Sequence, residues 1–313
     1  MDFLPIFTKM VELFLIIIIG YVSTKLGVIT KEIKAGLAKL ILNIAIPCTI
    51  ISSVANSEHI PSGKQIITLL LVSGSSYIVL FILSKITALI LGARGIQKGA
   101  VEFGIMFSNV GFIGFPVTQA IFGTEALLYT TMFNMPFNLL CYSLGVSMLN
   151  GKNLTETNKE INWKHTMKLI FTPAMVSSLV AVIMALTKFQ GPAMIGDTLE
   201  MVGNITTPGA LLVIGSSLSE IPVKAMFNNV RAYVFTLMSV VVTPLVMYCI
   251  YRPFTASDPM LLGVSVIISA MPVATAGTML CVEYGGDERF MAQITFLTTL
   301  ASVVTIPLMA LIL

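Results

Sequence analysis

The chain has 313 residues, 56% of them apolar and only 11% charged, with 18 basic against 15 acidic side chains and a formal net charge of +3; its mean hydropathy is +0.93. Soluble domains carry about 25% charged and about 45–50% apolar residues, so this composition excludes a cytosolic enzyme, and so small and dispersed a charge excludes a nucleic-acid-binding surface. What is left is an all-α polytopic membrane protein.

A helical span needs roughly 20 mostly apolar residues. Ten stretches qualify, at 4–24, 36–56, 65–91, 99–122, 125–149, 165–187, 195–218, 225–251, 258–282 and 288–312. Span one reads as a span rather than a cleaved signal peptide: Asp2 stands where a basic start belongs, and no small-x-small site follows Ile16–Gly20. Glu12 sits two turns into it, three residues after Lys9, which reads as an ion pair at the edge of the span or as a gate or coupling residue. Span two carries Asn43 and Pro47. Span four opens with Lys98 and Glu102 one helical turn apart, a pairing distance. It then runs Ser108-Asn109-Val110-Gly111-Phe112-Ile113-Gly114-Phe115-Pro116, in which two glycines and a proline interrupt a membrane helix.

The longest polar stretch, 150–164, follows span five and is a linker between two halves, 1–149 and 165–313. In span seven, Asp197 and Glu200 fall in the first turns, where the helix dipole favours acids. Span nine reads Ser269-Ala270-Met271-Pro272-Val273-Ala274-Thr275-Ala276-Gly277-Thr278 and ends on Glu283, near Arg289. Lys9, Lys64, Lys188 and Arg252 lie in loops on the N-terminal side, and the other basic residues, among them Lys25, Lys31, Arg94, Lys98, Lys152, Lys159, Lys164 and Lys168, lie opposite. Basic loops stay in the cytoplasm, so both termini are expected outside the cell membrane.

Five spans per half make any repeat an inverted one, an architecture of many secondary transporters. Asn-x-x-x-Pro occurs as Asn43…Pro47 and again as Asn204…Pro208, 161 positions on. The same offset carries Pro116 to Gly277 and the Asn109 neighbourhood to 270–272, and one residue more carries Gly123 to Gly285. Interruptions at matching depth in two halves point to a transporter's binding site, because non-helical backbone survives there only under cover of protein or water. Two broken helices crossing would present free N–H groups suited to a carboxylate, with Asn109, Gly111, Gly114, Pro116, Pro272, Thr275, Gly277 and Thr278 around it. Asn43 and Asn204 would form the opposite wall, or simply bond to carbonyls freed by their own prolines. Carbonyl ends with Ser108, Asn109, Thr131, Asn134 and Thr275 are suited to a cation or water. Spans five and ten add further neutral oxygens, among them Thr130, Asn138, Gln293, Thr295, Thr298 and Thr299.

Cys48, Cys141, Cys249 and Cys281 all lie in apolar runs and read as small hydrophobes. His59 and His165 make no metal-ligand spacing, so no metal and no cofactor is expected. No carboxylate falls on either interruption.

These motifs resemble the auxin efflux carrier family. Asn109, Gly114 and Pro116 stand at the family's spacing in span four, and Pro272 stands eleven residues before Glu283-Tyr284 in span nine. Gly277 replaces a second family proline, and the long cytoplasmic loop of plant members is reduced here to the short 150–164 linker. The resemblance implies the fold of bile-acid/sodium symporters and sodium/proton antiporters. Spans one, two, six and seven would then be a scaffold, and spans three to five and eight to ten a moving transport domain. It also implies that Ser108-Asn109-Val110 is a cation-binding stretch. It makes Glu283, like Glu12, a coupling candidate. The expected function is secondary active transport of small organic anions by an elevator movement, with sodium or a proton as coupling ion. The alternatives are a sodium-coupled symporter of amphipathic anions and a non-concentrating channel or sensor. Expected partners are the organic anion and the lipid bilayer, with a homodimer as the assembly to consider.

Overall fold

Local sequence signals start and stop the helices. In the computed structural model, which describes residues 3–57, 60–150, 171–220, 227–255 and 258–313, the helices run in this order: α1 (Phe3–Lys25), α2 (Lys31–Ala55), α3 (Gly63–Ile90), α4 (Gly95–Met106), α5 (Val110–Phe122), α6 (Ala126–Leu140, carried on through Cys141–Gly145 and Val146–Leu149), α7 (Pro173–Thr187), α8 (Ala193–Ser219), α9 (Val230–Tyr251), α10 (Pro259–Ser269), α11 (Ala276–Tyr284) and α12 (Glu288–Ala310). Residues 151–164 of the linker, the start of predicted span six, Asp2, both histidines and Lys152, Lys159, Lys164 and Lys168 lie outside the described residues. Side chains cap the starts: Thr30 accepts from Ile33 N, Thr172 from Met175 N, Asp258 from Leu261 N and Asp287 from Phe290 N, while Ser62 and Gln65 cap α3 reciprocally. Gly123 closes α5 at φ +85° and Gly285 closes α11 at φ +78°, a backbone region that favours glycine.

α1, α2, α3, α8, α9 and α12 are each long and apolar enough to cross a membrane. Among the described residues there is no strand, and the one β-type pairing is an isolated bridge. The chain is therefore an all-helical, multi-pass membrane protein. Predicted spans four and nine each arrive as two short helices, α4 with α5 and α10 with α11. The break in span four differs from the expectation. It falls at 107–109, ahead of the glycines, and Gly111, Gly114 and Pro116 all lie within α5. Proline is tolerated there because the preceding turn widens. Val110–Gly114 is a wide turn just before Pro116, as Ile41–Ala45 is before Pro47 and Met238–Val242 before Pro244. A wide turn makes room for the ring that a tight one would meet.

Small residues decide which helices meet closely. A methyl group on Gly20 would strike the backbone of Leu212, and one on Gly215 the backbone of Ile17, so α1 and α8 lie backbone against backbone. Gly203 and Gly196 of α8 likewise admit Thr49 and Asn56 of α2. α7 packs on α2, α3 on α4 and α6, α9 on α12, and α10 on α6 and α9. Three apolar cores converge where the two broken spans meet. Val110 belongs to one, Phe107 and Val273 to the second, and Ile113, Ala270 and Met271 to the third.

Candidate functional site

Where α4 stops, Phe107 leaves the helical region at φ −119° and ψ 85°. Phe107 and Ser108 leave the helix, the chain turns at Asn109 (φ −79°, ψ 66°), and the segment meets the other interruption, 270–275, head to tail. Asn109 N donates to Pro272 O at 2.7 Å and Ala274 N donates to Phe107 O at 2.9 Å, an antiparallel bridge centred on Ser108 and Val273. Backbone freed from two helices thus satisfies itself across the break, which is what makes non-helical chain tolerable at this depth.

Two hydroxyls complete this bridge. Ser108 Oγ donates to Ile268 O at 3.0 Å, tying the break to the last turn of α10. Thr298 of α12 accepts from Val273 N at 3.2 Å while donating to Ile294 O at 2.6 Å. With its proton on a backbone carbonyl, what Ser108 Oγ has left to offer a cation or water is its oxygen lone pairs. Thr298 was read as one of several neutral oxygens. Its specific role depends on α12 lying beside the break, a contact that nothing in the local sequence signals.

The Asn109 side chain is 3% exposed. Its Oδ1 accepts from Phe112 N at 3.2 Å, capping α5, whereas its Nδ2 is buried with no partner among the described residues. In the first turn of α5, Val110 N bonds to Ser108 O and both Ile113 N and Gly114 N to Asn109 O; Gly111 N takes none of these bonds. A buried amide that lacks an acceptor costs about 1–3 kcal/mol, so the crossing holds donors in search of an acceptor. Thr275 stands at the start of α11 without a side-chain cap bond, with Thr278 half-buried one turn on. Thr131 is fully buried and donates to Leu127 O at 2.8 Å, and Asn134 is 4% exposed one turn further along α6. Gly277 belongs here for a steric reason. A Cβ on it would lie 2.7 Å from the Phe103 ring and 3.0 Å from Met291 Sδ.

The predicted residues outside the crossing fare differently. Asn43 is exposed, and its amide donates to Lys39 O of its own helix at 2.8 Å. Asn204 sits at a turn within α8 between Gly203 and Thr206. Glu12 is exposed and pairs with Lys9 at 2.9 Å. Glu283 is exposed at the end of α11. Glu102 pairs weakly with Lys98 at 3.8 Å, and its close partner is Lys85 of α3 at 2.6 Å.

A polar cavity of about 340 Å³ lies away from the bridge, where the C-terminal ends of α2 and α5, the turn into α6 and the first half of α8 come together. Of the predicted site residues only Asn204 lines it. Glu200, assigned from sequence to helix-dipole stabilisation, borders this cavity and accepts from Asn56 Nδ2 at 2.6 Å. The local signal that was missed is the hydroxyl face of α2, with Thr49, Ser52, Ser53 and Asn56 recurring at helical spacing.

Comparison with known proteins extends over nearly the whole chain. Residues 5–310 match the family described as "Membrane transport protein". An "Uncharacterized transporter" of Methanothermobacter thermautotrophicus is 23% identical over 318 residues, covering 95% of each chain. "Uncharacterized transporter MJ1031" of Methanocaldococcus jannaschii is 24% identical, covering 94% of each. "Uncharacterized transporter YfdV" of Escherichia coli K12 is also 24% identical, over 98% of this chain and 95% of that one. With a match of this extent, the chain belongs to the membrane transport protein family of auxin efflux carriers.

Proposed function

We propose that the protein is a secondary active transporter of small organic anions, with the substrate carboxylate held at the crossing of the two broken spans. The observation that carries this reading is the unpartnered, buried Nδ2 of Asn109 beside the N-terminal end of α5. Amide donors at a helix start, together with the positive end of the dipole, are suited to a carboxylate, and no basic side chain is needed. Pro116, Gly277 and Thr278 shape the surround, and a sodium ion or a proton drives the cycle.

In this reading the chain makes ten spans as two inverted halves, 1–149 and 165–313, joined by a cytoplasmic linker, with both termini outside. The glycine-closed α5 and α11, each following a non-helical break, support the pairing of the halves. α1, α2, α7 and α8 form a scaffold, and the remaining helices form a block that slides along it. The close packing of α1 on α8 and of α2 on α7 and α8 supports this division.

The test is uptake of radiolabelled monocarboxylates and dicarboxylates into proteoliposomes, under an imposed sodium gradient and, separately, a proton gradient. Concentrative uptake of at least one anion is expected, reduced at least tenfold in Asn109→Ala. Nernstian currents without accumulation, or full transport by Asn109→Ala, overturn it.

A further inference from the structure

The cavity between α2, α8 and the α5–α6 turn differs from the crossing in carrying carboxylates. Its floor is the hydroxyl face of α2. Thr49 Oγ1 donates to Ala45 O or Gly203 O at 3.0 Å, Ser52 Oγ to Thr49 O at 3.2 Å and Ser53 Oγ to Ile50 O at 2.7 Å. All three residues are under 10% exposed. Thr49 Oγ1 also meets Thr206 Oγ1 at 2.9 Å. Ser52 and Ser53 give their protons to backbone carbonyls, so what they have left for the cavity is oxygen lone pairs. Two carboxylates, Glu125 and Glu200, stand above them, and the Asn56 amide is directed into Glu200 rather than into the open space. No basic residue is among those that line it. A volume of about 340 Å³ is ample for a small solute with its water.

We infer that this cavity is a binding site for a small monovalent cation, an alkali ion or a primary ammonium. Carboxylate, hydroxyl and amide oxygens are ligands of hard cations. Two carboxylates with no basic residue in the lining disfavour an organic anion by like-charge repulsion. Among the described residues there is no group of three or more His, Cys, Asp and Glu able to hold a metal ion, so the chemistry is that of a weakly held monovalent ion rather than a chelated divalent one. The cavity's walls come from α2 and α8 on one side and from the α5–α6 turn on the other, so an ion bound here bridges elements that carry the crossing and elements that do not. The inference does not depend on the substrate assigned to the crossing.

The experiment uses the full chain in lipid nanodiscs, with radioactive sodium as probe and no organic anion present. Saturable binding is expected, with affinity reduced at least tenfold in the Glu125→Gln/Glu200→Gln double variant and changed less than twofold in Asn109→Ala. Gln119→Lys, which brings a tethered ammonium to the opposite wall, should abolish binding; it keeps the test decisive if the double variant does not purify as a monodisperse protein. Displacement of sodium by methylammonium identifies an ammonium site, and displacement by potassium or lithium alone an alkali-ion site; both support a cation cavity. Absence of saturable sodium and methylammonium binding to folded wild-type protein overturns it. So does binding unaffected by both cavity variants, or binding lost in Asn109→Ala, which would move the ion to the crossing.

Discussion

At the scale of single residues, the crossing is held by side chains standing in for backbone. Thr298 supplies the acceptor that Val273 N lacks, and Ser108 supplies a donor to the end of α10. Thr298→Val keeps shape but removes the hydroxyl, leaving a buried N–H at a cost of about 1–3 kcal/mol. The variant should show a lower thermal midpoint in detergent and a raised KM for the transported anion, while Thr298→Ser restores both. A midpoint and KM unchanged in the valine variant would remove Thr298 from this role. Asn109 was legible from sequence because an asparagine next to helix breakers in an apolar run has few other uses. Thr298 was not, because a threonine in a membrane helix ordinarily bonds its own preceding turn, and this one does that as well.

At the scale of elements, proline and glycine act differently from what their sequence positions suggest. The glycines of predicted span four form a wide turn inside α5 with Pro116 just after it, and the chain breaks at Phe107–Asn109 because the opposite interruption is there to pair with it. Glycine matters most where helices touch. Gly215 presses on the backbone of Ile17, so Gly215→Val forces α1 away from α8; overpacking of this kind costs about 1–3 kcal/mol. Gly74, whose added Cβ would meet nothing within 4 Å, should tolerate Ala. Thermal unfolding of the two variants side by side checks this, and equal midpoints would contradict close α1–α8 packing. Glu102 shows the same limit on local reading. Its sequence neighbour Lys98 is 3.8 Å away, while Lys85, on a different helix, is at 2.6 Å.

At the scale of the whole molecule, the cavity and the crossing differ in charge: two carboxylates line the cavity, whereas the crossing holds a buried neutral amide. Ser53 of α2 and Gln119 of α5 line the cavity together, and under the sliding-block reading they separate during each cycle. Ser53→Cys/Gln119→Cys joined by a short bifunctional thiol reagent should stop uptake, with recovery when a cleavable linker is cut and no effect of the reagent on either single variant. Uptake that continues in the cross-linked protein would rule out relative movement there. The sequence alone determined that this chain lives in a bilayer, since an apolar fraction of 56% cannot be hidden in water. It also marked which two spans are interrupted, because proline and glycine are read directly from the chain, but in span four it placed the break at the glycines and proline rather than just before them. Only the tertiary structure decided that the interruptions pair through Asn109, Pro272, Phe107 and Ala274, that Gly277 answers to Phe103, and that Glu200 faces a cavity. Those are contacts between residues far apart along the chain, and helical periodicity, which reports only which face a residue occupies, carries no information about which helix that face will meet.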